Sequence, residues 1–350
     1  MEVYRKLQKV LDLHAMGAPE SEDLLEILRE LLEPGEAALA LSMRFELEEA
    51  TEIARRAGVT PSLAVKRLES MADKGAILCT NRDGKARYAL LPPMPGFFEF
   101  SLMKGEHTPA ADRMGRLWNR YYTRELGRQM HASGISLCRV LPVEKQIPPT
   151  AEVMDFERCT WLIGTARSLA LGRCQCRFSS GNCDAPLDVC ILLDTWAEFL
   201  TDRGLARRVG VEEARDALLR AEEACLVHTV NNATRSPFIC NCCPCCCFML
   251  RGITQFHLPD TLAASRLVAR LDRERCIGCG LCADRCRFGA LELEGTVMRF
   301  EERRCYGCGL CVSACAERAL SLIERKDYAQ PFPDGRSLNR AVAAAKKKVK

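Results

Sequence analysis

Two neighbouring stretches of the chain decide the fold of its C-terminal part. Residues 276–282 read CIGCGLC and are followed by Cys286, and residues 305–311 read CYGCGLC and are followed by Cys315. Both have the spacing C-x2-C-x2-C-x3-C, and the second starts at residue 305, 29 residues after the first starts at 276. Three cysteines in one tight loop can surround one metal cluster, and glycines between them let backbone N–H groups approach its sulfurs. The two copies therefore predict paired metal-binding loops.

The repeated loops resemble those of bacterial two-cluster ferredoxins, and the resemblance covers residues 270–324. It implies two [4Fe–4S] clusters and low-potential electron transfer, with the fourth cysteine of each copy ligating the cluster of the other copy. The ligands of the first cluster are then Cys276, Cys279, Cys282 and Cys315. Those of the second cluster are Cys305, Cys308, Cys311 and Cys286. A pair of zinc sites is the alternative, but zinc knuckles lack this crossing fourth cysteine.

The module departs from that family in sequence and in charge. Proline usually follows the fourth cysteine in the family, whereas Arg287 and Ala316 stand there in this chain. Arginines also crowd the module, at Arg273, Arg275, Arg285, Arg287, Arg303 and Arg304. Positive charge near a cluster favours the added electron, so we expect raised reduction potentials and an acidic redox partner. The alternative is that the arginines pair with nearby carboxylates, which are Asp272, Glu274, Asp284, Glu301 and Glu302.

The cysteine content bounds the class of protein. The 350 residues include 22 cysteines, while 50 basic and 46 acidic residues leave a net charge of only +4. The N-terminus has no apolar signal core, and no apolar run reaches the ~18 residues of a membrane span. We therefore expect a cytoplasmic protein whose reduced thiols ligate metals rather than form disulfides. Four scattered cysteines are expected to be small buried residues: Cys79, Cys138, Cys159 and Cys225.

Ten further cysteines form a field in the middle of the chain. The first group is Cys174, Cys176, Cys183 and Cys190. Its spacing, C-x-C-x6-C-x6-C, can supply four thiolates to one centre, and Arg173 and Arg177 would offset their charge. The second group is Cys240, Cys242, Cys243, Cys245, Cys246 and Cys247. Adjacent cysteines point in different directions, so either the groups share a larger or second cluster, or some thiols stay free for substrate binding or thiol–disulfide chemistry.

The identity of this middle centre is open at the level of sequence. Ligand softness and the neighbouring ferredoxin-like module favour further iron–sulfur clusters over zinc or a purely redox-active thiol site. His228 is a candidate ligand or acid, although a histidine in such a segment more often has an ordinary structural place.

The remaining sequence predicts a multidomain, mainly α fold. Helices predicted over 48–59 and 60–74, followed by a hairpin, resemble a winged helix-turn-helix domain. The expected units are a helical segment with this winged-helix-like domain (1–96), a helical cysteine-rich domain (97–265), an α+β two-cluster ferredoxin domain (270–324) and a polar, basic tail (327–350). The tail is expected to be a frayed helix or disordered.

The whole chain resembles helix-turn-helix/4Fe–4S dicluster fusion proteins of anaerobic bacteria, a resemblance that implies no defined reaction. Phosphate-binding glycine loops and the C-x3-C-x2-C spacing of radical-SAM enzymes do not occur in the sequence. We expect an electron-transfer protein, or a component of an oxidoreductase, that passes electrons between a partner and the middle cysteine field. One alternative is a redox-responsive DNA-binding regulator, although the basic footprint is weak. The other is an oxidoreductase whose substrate binds at the cysteine field.

Overall fold

The structure is a computed structural model that describes residues 2–82 and 84–349, so Met1, Asp83 and Lys350 lie outside it. Its helices are α1 (Glu2–Asp12), α2 (Glu22–Leu31), α3 (Pro34–Ala40), α4 (Ala50–Ala57), α5 (Pro61–Asp73), α6 (Phe98–Ser101), α7 (Pro109–Tyr121), α8 (Gly127–His131), α9 (Cys159–Thr165), α10 (Gln175–Ser180), α11 (Asp194–Asp202), α12 (Val211–Glu223), α13 (Phe248–Thr254), α14 (Leu281–Arg285) and α15 (Gly335–Val349). In these described ranges, no helix has the length and apolarity needed to cross a membrane.

The strands form several separate sheets. They are β1 (Glu48–Glu49), β2 (Ile77–Arg82), β3 (Lys85–Leu90), β4 (Cys138–Val140), β5 (Leu169–Gly172), β6 (Cys190–Leu193), β7 (Arg207–Arg208), β8 (Val227–Asn231), β9 (Phe238–Cys242), β10 (Leu262–Ala263), β11 (Leu267–Leu271), β12 (Leu291–Glu294), β13 (Val297–Phe300) and β14 (Leu320–Glu324). The chain therefore combines helices with sheets.

The N-terminal part contains the two helices and the hairpin that the sequence predicts. Helix α4 ends at Gly58, which has a left-handed φ of 65°. Helix α5 begins after Thr60, whose hydroxyl accepts the N–H of Leu63 and caps the helix. Strand β3 pairs with β2 on one side and with β1 on the other, both antiparallel. The order from β1 to β3 is thus strand, helix, helix and hairpin.

The middle part, for which the sequence predicts a helical domain over residues 97–265, contains a seven-stranded sheet as well as helices. Its strands run in the order β10-β4-β8-β9-β6-β5-β7, antiparallel except for the pair β10–β4. Strands β5 and β6 are four residues long and buried throughout, so they lack the alternation of apolar and polar residues that marks a half-exposed strand. Helix α12 covers one face, where Ala214 and Leu218 pack in one cluster with Ile191.

The C-terminal module consists of two strand pairs and the two cysteine loops. Strands β12 and β13 form the hairpin predicted between the loops, and they are joined at Gly295. Strands β11 and β14 pair at the two ends of the module and close it. Each cysteine loop thus lies beside one of the strand pairs.

The tail forms a helix, which is one of the two alternatives that the sequence predicts, and part of that helix is packed rather than frayed. Helix α15 buries Leu338 and Val342, which are 3% and 0% exposed, in the main hydrophobic core. Lys346 Nζ donates a hydrogen bond to Met16 O at 3.0 Å. An apolar pair at i and i+4 gives the basic helix one buried face, and that face docks it.

Candidate iron–sulfur and thiolate sites

The first loop (residues 276–282) and the second loop (residues 305–311) have the same backbone geometry. Gly278 and Gly307 occupy equivalent positions, with φ of 69° and 68°. A Cβ added to Gly278 would lie 2.1 Å from Thr296 O, and one added to Gly307 would lie 1.9 Å from Leu267 O. The left-handed conformation and the close backbone approach both require glycine there. The repeat in sequence is therefore a repeat in structure.

The fourth cysteine of each copy accepts a backbone hydrogen bond from the residue four positions later. Ala290 N–H donates to Cys286 Sγ at 3.1 Å, and Ala319 N–H donates to Cys315 Sγ at 3.2 Å. Such bonds stabilise a thiolate relative to a thiol, and hydrogen bonds to sulfur also tune the potentials of iron–sulfur clusters. These sulfurs therefore have surroundings that fit metal-bound thiolates.

The neighbours of the thiols fall into two groups. Burial raises the pKa of Cys282, and its sulfur neighbours, which raise it as well, are Cys276, Cys279 and Cys315. Burial also raises the pKa of Cys308 to about 12, and Cys305 and Cys286 are among the sulfur neighbours of both Cys308 and Cys311. In both groups the fourth cysteine of one copy lies beside the loop of the other copy. The eight residues thus fit the crossed ligand sets of two clusters.

This geometry has a counterpart among known protein families. The family model of the 4Fe-4S dicluster domain matches residues 269–322. This segment is a ferredoxin-like module. The match supports iron–sulfur clusters as cofactors and electron transfer as the activity of the module. Comparison of the chain with curated proteins and with solved structures finds no match.

The two loops differ in solvent exposure, although their sequences differ at only one position. Ile277 and Leu281 of the first loop are 67% and 54% exposed, whereas the equivalent Tyr306 and Leu310 are 8% and 0% exposed. The middle cysteine of the first loop, Cys279, is exposed as well. One cysteine loop of the ferredoxin-like module therefore faces solvent, and the other faces the interior of the protein.

The second loop is held by segments that flank strands of the middle sheet. Val143, shortly after β4, donates its N–H to Cys308 O at 2.9 Å. The Tyr306 hydroxyl donates to Pro259 O at 2.8 Å, shortly before β10. A backbone carbonyl and a tyrosine hydroxyl of the loop are thereby satisfied by the middle domain, which makes the contact specific.

Two of the six arginines attach the ferredoxin-like module to the middle domain. Arg285 Nη2 donates to Glu222 O at 2.8 Å, and Arg287 Nε donates to Cys225 O at 2.7 Å. These carbonyls lie at the C-terminal end of α12, where the helix dipole favours positive charge. The arginine that stands in place of the family's proline is therefore a docking residue.

The other arginines are only partly paired. Arg275 lies 3.7 Å from Asp272, and Arg304 lies 3.9 Å from Glu301. Arg273 and Arg303 are exposed. The expectation that the arginines pair with nearby carboxylates thus holds for Arg275 and Arg304, whose side chains are themselves largely exposed.

The middle cysteines separate into two sets that mix the two sequence groups. In the four-thiol set, all Sγ atoms lie within 4.8 Å of one another: Cys183, Cys243, Cys245 and Cys246. The Sγ–Sγ distances are 3.7 Å for Cys183–Cys243, 3.8 Å for Cys183–Cys246 and 3.7 Å for Cys245–Cys246. The array predicted from C-x-C-x6-C-x6-C is therefore divided, because its third member joins this set.

The other six cysteines form a connected row, the six-thiol set: Cys174, Cys176, Cys190, Cys240, Cys242 and Cys247. Hydrogen bonds from the thiols of Cys174 and Cys240 lower the pKa of Cys190. Hydrogen bonds from Cys176 and Cys242 lower the pKa of Cys247 in the same way. A hydrogen bond between Cys240 and Cys242 joins the two halves of the row.

The middle sheet brings these distant cysteines together. Strands β6 and β9 are antiparallel with Ile191 opposite Ile239, so Cys190 lies opposite Cys240. Cys240 and Cys242 are alternate residues of β9 and project to the same face. Spacing along the chain cannot reveal this set, because strand register decides which thiols meet.

Arg177 lies between the two thiol sets and is 2% exposed. Its Nη2 donates to Asn241 O at 2.9 Å. Burial lowers the pKa of Arg177, but three neighbouring cysteines together raise it by more, and they are Cys174, Cys243 and Cys190. A buried charge requires a partner of opposite sign, so thiolates of both sets act as its counterions. Arg173, the other predicted counter-charge, instead donates to Gly105 O at 2.9 Å.

A cavity of about 420 Å³ lies in front of the six-thiol set. All six of those cysteines line it, and Cys138 lines it too. The facing walls are apolar, with Phe100, Met103 and Trp196 among them. The Glu99 carboxylate also reaches this space, and burial raises its pKa to about 7. The site is thus an apolar chamber with sulfur along one wall.

His228, a candidate ligand or acid, lies in β8 and has partners at both ring nitrogens. Nδ1 is 2.5 Å from Asn241 Oδ1, and Nε2 is 3.3 Å from Glu222 Oε1.

The four scattered cysteines are buried, as predicted. Sequence reasoning missed Glu99 and Asn241. Asn241 carries a weak signal because it stands between two cysteines of one strand, whereas Glu99 carries none.

Proposed function

We propose that this protein carries electrons between an external redox partner at the first loop and an internal cysteine centre in the middle domain, against which the second loop packs. When bound, two [4Fe–4S] clusters supply the redox chemistry, held by the crossed ligand sets of the two copies. The difference in exposure carries the proposal, since Leu281 is 54% exposed and Leu310 is 0% exposed. An electron-transfer path from an external partner to an internal centre needs one cluster site at the surface and the other in the interior.

The internal centre is proposed to be a further iron–sulfur cluster on the six-thiol set. Thiolates are the soft ligands that such clusters use, and the row is enclosed by the middle domain. Arg177 supplies positive charge to offset the thiolates. Zinc is less favoured for this set because, among the described residues, the compact geometry of a single ion occurs in the four-thiol set instead.

The proposed partner surface surrounds the first loop. Ile277, Leu281 and Val297 are exposed apolar side chains there, at 67%, 54% and 54%. Arg273, exposed close to them in the chain, adds positive charge at the edge. A partner with an apolar centre and acidic residues around it would match this surface.

An anaerobic count of iron and sulfide tests the internal centre. We expect about twelve or more irons per chain, because the dicluster module alone accounts for about eight. The double variant Cys190→Ala/Cys247→Ala should retain only about eight. The matched control Cys159→Ala, which removes a buried thiol outside both sets, should keep the wild-type count. About eight irons in the wild-type protein would overturn the internal cluster.

The cavity supports a second candidate function, an oxidoreductase that acts on a small apolar substrate beside the six-thiol set. Its volume of about 420 Å³ is in the range of ligand sites, and its walls are largely apolar. Met94 is buried in the cavity wall, so Met94→Trp should narrow the space. A small apolar ligand that perturbs the electron paramagnetic resonance spectrum of the wild type but not of M94W would support this function. Equal spectra with and without ligand would contradict it.

For the N-terminal part we propose a winged-helix-like unit, supported by the element order and by the sheet order β1-β3-β2. DNA binding is the weaker role for it. Lys74, directly after α5, forms an ion pair with the buried Glu36 at 2.6 Å, and Arg203 of the middle domain contacts Glu69 of α5 at 2.8 Å. A gel-shift assay with Lys85→Ala/Arg87→Ala as the comparison tests the regulator hypothesis, and no shift of DNA by the wild type would remove it.

A further inference from the structure

We propose that the four-thiol set binds one zinc ion in tetrahedral coordination, as a structural site separate from the iron–sulfur centres. The ligands are Cys183, Cys243, Cys245 and Cys246. The inference does not depend on the proposed electron path, since it rests on the geometry of these four sulfurs alone.

The distances between the sulfurs match coordination around a single ion. Zinc–sulfur bonds of about 2.3 Å at tetrahedral angles place the sulfurs about 3.8 Å apart. The distances in this set are 3.7 Å for Cys183–Cys243, 3.8 Å for Cys183–Cys246 and 3.7 Å for Cys245–Cys246. Three of the six Sγ–Sγ distances therefore match tetrahedral coordination of one ion, and the other three are within 4.8 Å.

This compactness separates the set from the other cysteines. Across residues 2–82 and 84–349, it is the one group of three or more histidine, cysteine or acidic residues whose ligand atoms all lie within 4.8 Å of one another. The eight cysteines of the ferredoxin-like module do not meet that criterion, because a cubane places irons and sulfides between its ligands. The same chain thus contains wide and compact thiol groups, and the compact one suits a single ion.

The position of the set indicates a structural role. Cys183 lies on the loop between α10 and β6, and the other three ligands lie on the segment between β9 and α13. Around the set, Asn182 Nδ2 donates to Cys245 O at 2.9 Å. Four protein ligands leave no open position on the ion, which is the arrangement of structural rather than catalytic zinc. The ion would fasten the loop to the segment that carries the second cysteine group.

The charge balance of the site is favourable. Binding of Zn²⁺ by four cysteines releases the protons of those that are thiols and leaves a centre with a net charge of −2. The buried Arg177 guanidinium lies in hydrogen-bonding contact with Cys243. The buried guanidinium therefore lies where it offsets part of the negative charge. Zinc also has no redox chemistry of its own, which suits a site with an exposed ligand, Cys245.

Metal analysis of the full chain, purified without oxygen, tests the proposal. We expect one zinc per chain, and zinc-edge X-ray absorption should give four sulfur neighbours at about 2.3 Å. Cys183→Ser and Cys245→Ser should each lose most of the zinc while the iron count stays at the wild-type value. The control Cys159→Ala should keep both metals.

The outcomes separate this site from the iron–sulfur centres. No zinc in the wild-type protein, or zinc held by nitrogen and oxygen ligands, overturns the proposal. Iron lost from Cys245→Ser in place of zinc also overturns it and assigns the set to iron. Because Cys245 is exposed, we expect Cys245→Ser to remain folded. The absorption measurement on the wild type needs no variant. Failure of the internal iron–sulfur cluster would instead appear in the iron count alone.

Discussion

The first and second cysteine loops are nearly identical in sequence and opposite in environment. Within the seven residues from first to third cysteine, they differ only where Ile277 corresponds to Tyr306. Ile277 is 67% exposed, whereas Tyr306 is 8% exposed and its hydroxyl reaches Pro259 O. Burial and hydrogen bonding therefore distinguish two sites that share one ligand pattern.

The comparison shows that a ligand motif does not decide the role of a cluster. Spacing and glycine conformation are the same in both loops, so each can hold the same kind of cluster. Solvent access, nearby dipoles and the chance of contact with a partner differ, and these tune potential and recognition. The surface around each loop, rather than the loop itself, separates an outer site from an inner one.

The largest expected effect comes from adding a methyl group at the equivalent glycines. Gly307→Ala should lower the free energy of unfolding by about 4 kcal/mol, because its Cβ would lie 1.9 Å from Leu267 O in a packed interface. Gly278→Ala should lower the free energy of unfolding by less, since Thr296 O belongs to an exposed turn that can shift. Gly295→Ala, which has a φ of 61° and open space, is the control for backbone strain alone. Chemical denaturation measures all three, and equal losses for Gly307 and Gly278 would contradict the asymmetry.

The equivalent leucines should give a smaller but more diagnostic difference. Leu310→Ala removes a fully buried side chain and should lower the free energy of unfolding by about 3 kcal/mol. Leu281→Ala should change it by less than about 0.5 kcal/mol, because that side chain is 54% exposed. Stopped-flow reduction by a redox partner should show the reverse order. L281A should associate with the partner more slowly than wild type, whereas folded L310A should associate at the wild-type rate. A faster or unchanged association for L281A would argue against the partner surface.

The smallest effects concern the arginines. Arg287→Gln should lower the free energy of unfolding by about 1–3 kcal/mol with little dependence on salt, because it removes a charged donor from Cys225 O. Arg273→Gln should leave stability unchanged and should slow association with an acidic partner, most strongly at low salt. Denaturation and association rates at two salt concentrations distinguish the pair. If R273Q binds as fast as wild type at low salt, the acidic partner is excluded.

Prediction from sequence succeeded where chemistry is local. The C-x2-C-x2-C-x3-C repeat, the hairpin around Gly295 and the capped helix beginning at Pro61 depend on neighbours within a few residues, and each is present. The middle sheet was missed because strands such as β6 are short and buried on both faces. The packing of the tail helix was missed because the surface that covers Leu338 and Val342 comes from elsewhere in the chain.

The sequence by itself determined the ferredoxin-like module, because one repeated spacing of cysteine and glycine leaves little choice of chemistry. It also showed that the middle field holds far more thiols than packing needs. Only the tertiary structure decided how those thiols divide into sets of four and six. Strand register and loop closure join residues as far apart as Cys183 and Cys243, and no spacing along the chain records that approach. The same packing decided which of two equivalent loops faces solvent, since burial is a property of the surfaces that meet.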